Sequence, residues 1–107
     1  MSDLYVISTG RNASKFVLKC VQSVKKQTFK PKEHIIIDDV SDDDTRFYSE
    51  KIGNLNKEIK VIYNSERKYR LKNIWEQSVN KDPEDIICLV DSDDWLACDD
   101  ALQTCLL

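Results

Sequence analysis

His34-Ile35-Ile36-Ile37-Asp38-Asp39 is the stretch of sequence that decides the fold. Its apolar residues do not alternate with polar ones, and three of them are β-branched. This pattern predicts a strand that is buried on both faces, as the strands of parallel sheets are. Two carboxylates follow at the point where the strand ends. Three further apolar runs have the same character, and the last of them is the most apolar: residues 4–7, 59–63 and 86–90.

Amphipathic segments separate these runs. Apolar residues recur at a spacing of three and four over residues 16–24, 47–55 and 71–79, which is the period of a helix. Ser41 is the predicted N-cap of the second helix, with Asp44 three residues on. The third helix is expected to end before Pro83. The tail, residues 97–107, is the start of another helix or a frayed end.

Strands and helices therefore alternate along the whole chain. Alternation of this kind, with right-handed crossovers, predicts a doubly wound α/β fold. We expect a mainly parallel, Rossmann-like sheet of about four strands with helices on both faces. Residues 1–107 are expected to form one domain.

The composition limits the classes of function. The chain has 107 residues, of which 41% are hydrophobic and 33% are charged, so it is neither a membrane span nor a disordered tail. It carries 16 Lys and Arg against 19 Asp and Glu, a net charge of −3, which counts against nucleic-acid binding. No apolar stretch is long enough to span a membrane, and no signal-peptide pattern opens the chain.

We therefore expect a cytoplasmic location and reduced cysteines. Buried free thiols are the favoured interpretation of Cys20 and Cys88, and a structural disulfide or a thiolate metal site is the alternative. His34, at the start of its strand, is expected to be structural.

Polar residues follow every predicted strand. In a parallel sheet the carboxyl ends of the strands lie at one edge, and ligands bind there, where the strand order reverses. We expect the candidate site at that edge, formed by residues 8–12, 38–39, 64 and 91–94.

Each of these clusters has a functional and a structural interpretation. Asp91-Ser92-Asp93-Asp94 offers carboxylates that can share Mg²⁺ or Mn²⁺, or one Asp caps the following helix. Asp38-Asp39 can accept from a base N–H or a ribose hydroxyl, or can form a turn. No G-x-G-x-x-G follows the first strand, so a dinucleotide fold is poorly supported. The basic cluster in residues 67–72 either neutralises a pyrophosphate or is a solvated helix face.

Taken together, these segments resemble the N-terminal half of the inverting family-two glycosyltransferases, which have the GT-A fold. Residues 6–12 are similar to the first strand of that family and its P-T-Y-N-like loop. Residues 23–29 match S-V-x-x-Q-T-[FY], and residues 38–45 fit D-D-x-S-x-D-x-T. Asn73 matches the family's asparagine helix, and residues 86–96 match its I-x-x-x-D-x-D-D-W-L segment.

The resemblance implies roles for particular residues. Thr9 and Asn12 would line the nucleoside pocket, and Asp39 would contact the base, usually uracil. Arg70 and Asn73 would lie near the nucleotide and its diphosphate.

The resemblance also implies a metal and a reaction. Asp91 would approach the ribose and the water shell of the metal, and Asp93 would be the principal ligand of Mn²⁺ or Mg²⁺. The reaction would be transfer of a hexosyl group from a nucleotide-diphosphate sugar, usually a UDP-sugar, to an acceptor hydroxyl with inversion.

Two substitutions and one absence depart from the family pattern. Val40 replaces the common glycine of the D-D-G-S turn, so we expect a turn without a positive φ at this position. Gly10-Arg11 replaces the usual P-T-[YF] sequence, so the ring that often stacks near the base is missing. The chain ends 13 residues after Asp94. It contains no good candidate for the catalytic base, which we expect downstream.

Other functions stay open at this stage. The same residues could serve a non-catalytic nucleotide or nucleotide-sugar module. A phosphotransfer fold is disfavoured, because the acidic run follows the fourth strand rather than the first and no lysine follows a later strand. An uncovered sheet edge predicts self-association, by strand addition or by swapping of the tail.

Overall fold

The computed structural model describes residues 2–106 and contains strands and helices in strict alternation. In chain order they are β1 (Leu4–Gly10), α1 (Val17–Lys25), β2 (Glu33–Asp38), α2 (Thr45–Leu55), β3 (Ile59–Tyr63), α3 (Tyr69–Ser78), β4 (Ile86–Leu89) and α4 (Ala101–Thr104).

The four strands form one parallel sheet in the order β3-β2-β1-β4. The chain moves outward from β1 to β3 and then returns to place β4 on the other side of β1. The strand order therefore reverses between β1 and β4. The predicted doubly wound α/β fold is confirmed, and this reversal is where such sheets bind ligands.

Helices cover both faces of the sheet because successive side chains of its strands point to opposite faces and both faces are apolar. Leu4 and Val6 of β1 pack with α1 on one face. Ile7 of β1 and Ile35 of β2 pack with Ile74 of α3 on the other. Each such buried side chain contributes about 1.5–3 kcal/mol relative to exposure. The central strands are therefore held rigidly, and the loops that follow them start from fixed positions.

The tail folds back onto the sheet. Leu102 of α4 is buried in the same apolar cluster as Leu4, Val6 and Val24. The buried side chain of Gln27 holds α4 in place: its Nε2 donates to the carbonyl of Cys98 at 2.7 Å, and its Oε1 accepts from the N–H of Leu102 at 3.0 Å. The tail thus contains the start of another helix, one of the two predicted outcomes. Met1 and Leu107 lie outside the described residues.

Two predictions about local structure were wrong. The second helix begins at Thr45 rather than after Ser41, whose hydroxyl instead donates to Asp38. Asp43 accepts the N–H of Thr45 at 2.9 Å. The fourth strand, although the most apolar in sequence, is only half-buried, and Leu89 is 45% exposed. The reason is that β4 is an edge strand, so one side of it has no neighbouring strand among the described residues.

The predictions about the cysteines, His34 and a membrane span can be compared with the structure. Cys20 is buried, Cys88 is half-buried, and all four cysteines are free thiols. His34 is buried at the edge opposite the candidate site, where its Nε2 lies 2.7 Å from the hydroxyl of Ser8, and burial lowers its pKa to about 4. None of the helices within residues 2–106 has the length and apolarity to cross a membrane.

Candidate functional site

The ends of the four strands are joined by backbone hydrogen bonds. The N–H of Asp39 donates to the carbonyl of Gly10 at 2.9 Å, and the N–H of Asn64 donates to Asp38 at 3.0 Å. On the other side of β1, the N–H of Ser92 donates to Thr9 at 3.1 Å. The four polar segments that follow the predicted strands therefore meet at one edge, as expected.

Gly10 is required by the close approach of the segment after β4. A Cβ placed on Gly10 would lie 2.6 Å from the Cβ of Ser92, far inside van der Waals contact. The side chain of Ser92 is itself buried. The absence of a side chain at Gly10 therefore lets the acidic segment pack directly on the end of β1.

A cavity of about 290 Å³ opens at the reversal between β1 and β4. Its walls carry carboxylates and guanidinium groups in close proximity. The lining residues are Thr9, Gly10, Arg11, Ala13, Asp39, Arg67, Tyr69, Arg70, Asp91 and Asp93.

Asp39 is the buried anion of this cavity and is only 3% exposed. Its Oδ1 accepts from the amide of Asn64 at 2.9 Å and from the N–H of Lys68 at 2.8 Å. Its Oδ2 accepts from Nε of Arg67 at 3.1 Å and from the N–H of Tyr69 at 2.9 Å. A carboxylate offers about four acceptor positions, so all of them are in use.

These bonds control the ionisation of Asp39. Burial by itself raises the pKa of the carboxyl, but the hydrogen bonds from the four donors outweigh burial and bring the pKa well below its usual range. Asp39 is therefore a fixed negative charge that holds the loop between β3 and α3.

A second set of polar bonds lies beneath the cavity. Nδ2 of Asn73 donates to Oγ1 of Thr9 at 2.9 Å, and Oδ1 of Asn73 accepts from Nδ2 of Asn64 at 2.8 Å. Asn73 is 2% exposed. The two asparagines thus link β1, β3 and α3 to Asp39 in one network of satisfied buried groups, and such networks fix a unique arrangement.

Arg70 and Asp91 face each other across the cavity. Nε of Arg70 lies 3.0 Å and 3.2 Å from the two carboxylate oxygens of Asp91. Both side chains are partly exposed, so water screens this pair and its contribution to stability is small. The guanidinium of Arg70 can therefore leave Asp91 at little cost in free energy.

The acidic segment after β4 brings three carboxylates together. Ligand oxygens of Asp91, Asp93 and Asp94 all lie within 4.8 Å of one another. Asp93 and Asp94 are exposed. Three carboxylates with access to solvent are the hard oxygen donors that Mg²⁺ and Mn²⁺ prefer, so the residues present fit such an ion.

The loops after β1 and β2 are bonded to each other. The N–H of Asn12 donates to Oγ of Ser41 at 3.0 Å, and its side-chain oxygen accepts from the N–H of Asp42 at 2.8 Å. Nε of Arg11 donates to the carbonyl of Val40 at 3.0 Å. Between these contacts Val40 has φ of 63°. The prediction of a turn without positive φ at Val40 was therefore wrong, and the β-branched residue is held in a strained conformation.

The structure places most of the predicted site residues together. Five of them line the cavity: Thr9, Asp39, Arg70, Asp91 and Asp93. Asn73 lies beneath it, and Asn12 lies in the neighbouring loop contact rather than in the lining. The ligand contacts of all seven stay predictions.

Sequence reasoning missed Tyr69 as a lining residue. The one available signal was an aromatic residue in the middle of the basic cluster 67–72.

Comparisons with known proteins agree with this geometry. The model of the family described as Glycosyl transferase family 2 matches residues 5–106. No match is found among curated proteins.

Solved structures also match this chain. A crystal structure of S. aureus TarS is 27% identical, with a TM-score of 0.78, over 99% of this chain and 19% of its own. A structure of TarS in complex with UDP-GlcNAc is 25% identical, with a TM-score of 0.77, over 99% of this chain and 30% of its own.

A third structure supports the fold alone. The mannosyltransferase PcManGT from Pyrobaculum calidifontis, in complex with GDP-Man and Mn²⁺, has a TM-score of 0.83 at 16% identity, over 97% of this chain and 31% of its own. The chain thus spans between 19% and 31% of the length of these three structures.

The strain at Val40 gives a stability prediction. Val40→Gly removes the Cβ that disfavours the left-handed region, which should raise the free energy of unfolding by about 1–2 kcal/mol. The larger loss of backbone entropy on folding of a glycine should lower it by about 0.5–1 kcal/mol. We expect a net gain of about 0.5–1 kcal/mol in the free energy of unfolding, measured by urea denaturation. Val40→Ala is the control, because it keeps a Cβ and should give no gain. Equal stability of the glycine and alanine variants would contradict the assignment of strain.

Asp39 gives a prediction about pH. Its lowered pKa in the folded state means that its stabilisation is fully present above the unfolded pKa of about 3.9 and is lost as the pH falls below it. Asp39→Asn should therefore lower the free energy of unfolding by about 2 kcal/mol at pH 7. The difference from wild type should shrink when urea denaturation is repeated at pH 2.5.

The control is Asp42→Asn, which changes an exposed carboxylate three residues further along the same loop. It should change stability little at either pH. A deficit of Asp39→Asn that is the same at both pH values would show that the charge of Asp39 does not stabilise the loop.

Proposed function

The chain belongs to glycosyl transferase family 2. From this premise we propose that it binds a UDP-linked sugar and a divalent cation for hexosyl transfer. The observation that supports the proposal most is the cavity at the strand-order reversal, where Arg70 faces Asp91 and Asp93. We propose that the cation is Mn²⁺ or Mg²⁺. We also propose that the sugar is transferred to an acceptor hydroxyl and that the transfer inverts its anomeric configuration.

The donor would occupy the cavity with its base at one end and its diphosphate at the other. Asp39 lies at the β2–β3 end, where a base N–H could replace Arg67 as a donor to its carboxylate. Arg70 lies at the β4 end, where its guanidinium could bind phosphate oxygens in the fork geometry that suits them. Thr9 would border the nucleoside between these two ends, with Asn73 holding it from below.

Asp93, with Asp91, would hold the cation. When bound, a divalent cation supplies positive charge that stabilises the departing diphosphate. Asp91 would then give up its contact with Arg70 to bind the cation, and Arg70 would be free to bind the nucleotide. The proposed exchange keeps the charges in the cavity balanced before and after the donor binds. The PcManGT structure contains Mn²⁺, and the TarS structure contains UDP-GlcNAc.

We propose that the general base comes from outside this chain. An inverting transfer needs a carboxylate that deprotonates the acceptor hydroxyl. Asp39 is saturated with donors, and Asp91 and Asp93 are assigned to the cation and the nucleotide. In this proposal the chain supplies donor and cation binding, and the acceptor-binding site and the base belong to the rest of the protein.

Binding of UDP should depend on the cation. At about 4 Å each phosphate charge and carboxylate charge repel by roughly 4 kcal/mol at an effective dielectric of about 20. By calorimetry, we expect UDP to bind at least tenfold more tightly in Mn²⁺ than in EDTA, whereas uridine affinity should not change. Asp93→Ala should abolish this dependence on Mn²⁺.

Asp99→Ala is the matched control, because Asp99 is an exposed aspartate outside the acidic cluster. It should keep the wild-type dependence on Mn²⁺. Equal binding of UDP in EDTA and in Mn²⁺, with folded protein, would refute the cation site. The alternative interpretation of residues 91–94 as a helix cap was wrong, because the next helix, α4, begins only at Ala101. A full-length protein that binds UDP-sugar and transfers nothing would instead favour a non-catalytic nucleotide-sugar module.

Two expectations about the cellular context stay predictions. One is the cytoplasmic location. The other is self-association: β4 has a neighbour on one side only among the described strands, and α3 exposes Leu71 and Trp75. A second copy of this chain could cover both surfaces.

Light scattering tests the self-association directly. We expect a molar mass that rises above that of the monomer at micromolar concentrations, because exposed apolar surface favours association. Trp75→Glu should return the chain to a monomer. Leu55→Glu, which also replaces an exposed apolar side chain by a carboxylate but on α2, should not. A monomer at every concentration would contradict the prediction.

A further inference from the structure

Tyr69 has an unusual position for an aromatic residue. Its side chain is 63% exposed, yet it borders the cavity between Asp39 and Arg70. It is the only aromatic residue among those that the structure places in the lining. The loop after β1, where the family often has a ring, carries Gly10 and Arg11 instead.

The backbone of Tyr69 is held where it is. Its φ is 67°, a left-handed value that is rare for a bulky residue. Its N–H donates to Oδ2 of Asp39 at 2.9 Å. Strained residues of this kind persist where the surrounding structure fixes them, and they cluster at ligand sites. The backbone of Tyr69 is therefore fixed beside the buried carboxylate.

Arg67 makes two contacts in this corner of the cavity. Its guanidinium carbon lies 4.3 Å from the centroid of the Tyr69 ring. Its Nε donates to Oδ2 of Asp39 at 3.1 Å. A flat, π-delocalised group thus lies over an aromatic ring and donates an N–H to a carboxylate at the same time.

A nucleobase with an N–H group presents the same features. It is planar, it stacks on aromatic rings, and its N–H is a donor that a carboxylate accepts. We propose that the Tyr69 ring is the stacking platform for the base of the nucleotide, and that Arg67 occupies this subsite until the base displaces it. The proposal rests on the proposed function and names the residues that recognise the base.

Arg67 is then an internal competitor of the base. A ligand that must displace a group has an apparent affinity lower than its intrinsic one. The two residues should therefore have opposite effects: loss of the Tyr69 ring weakens base binding, and loss of the Arg67 guanidinium strengthens it. A merely structural role for both residues would make both variants weaker.

Calorimetry with uridine is the test, because uridine carries no phosphate and avoids the cation site. Tyr69→Leu should weaken uridine binding by about tenfold, in the range that stacking contributes, and Tyr69→Phe should keep wild-type affinity. Arg67→Met keeps the aliphatic stem without the guanidinium and should tighten uridine binding several-fold. Tyr48→Leu, on an exposed tyrosine of α2 away from the cavity, is the matched control and should change nothing.

Two further measurements keep the outcomes distinct. Mn²⁺-dependent binding of pyrophosphate, which has no base, should be the same in wild type and in Tyr69→Leu. Tyr69→Gly accepts the left-handed φ and removes the ring, so it replaces the leucine variant if that variant does not fold. It should show the same loss of uridine binding.

Three results would contradict this inference. Wild-type uridine affinity in a folded Tyr69→Leu or Tyr69→Gly variant would overturn the stacking platform alone. Weaker uridine binding in Arg67→Met would overturn the role of Arg67 as a competitor. If the wild-type chain binds neither uridine nor UDP in Mn²⁺, the proposed function fails, and this inference fails with it.

Discussion

The buried carboxylate of Asp39 is the interaction on which the rest of the site depends. It follows β2 directly, so the sheet fixes its position, and all four of its acceptor positions are filled by residues 64–69. Hydrogen bonds to a charged group are the stronger ones, at about 1.5–3 kcal/mol each. The loop between β3 and α3 thus has one anchor, and this anchor sets where Arg67 and Tyr69 lie and where α3 begins. Asn64 and Asn73 extend the same network to Thr9 at the end of β1.

A second constraint acts on the opposite side of the cavity. The segment after β4 packs on Gly10 because no side chain stands in the way, and this contact brings three carboxylates to the end of β1. Arg70 reaches across from α3 to meet them. The cavity therefore has a saturated anion at one end and an exposed acidic cluster at the other, with guanidinium groups between. Such a distribution suits an elongated ligand with a neutral donor group at one end and a diphosphate near a cation at the other.

The sequence predicts the parts of this arrangement that depend on periodicity. The strands, the helices and the common edge of residues 8–12, 38–39, 64 and 91–94 follow from apolar spacing and from the geometry of parallel sheets. The parts that depend on tertiary hydrogen bonds could not be predicted. Val40 adopts a positive φ in a turn where Arg11 donates to its carbonyl. Asn73 is buried because Thr9 and Asn64 satisfy its amide, and Tyr69 reaches the cavity because Asp39 holds its N–H. The edge position of β4 likewise depends on strand order, which apolar content does not encode.

The central claim is that base and diphosphate occupy opposite ends of one cavity, and amide NMR tests it most directly. In a ¹H–¹⁵N titration of the folded chain, uridine should shift the amides of Lys68 and Tyr69, whose N–H groups bond to Asp39. Mn²⁺ should broaden the amides of residues 91–94 most strongly through its unpaired electrons, and UDP with diamagnetic Mg²⁺ should shift the amides at both ends of the cavity. Shifts and broadening that fall instead around His34, at the opposite edge of the sheet, would contradict the account.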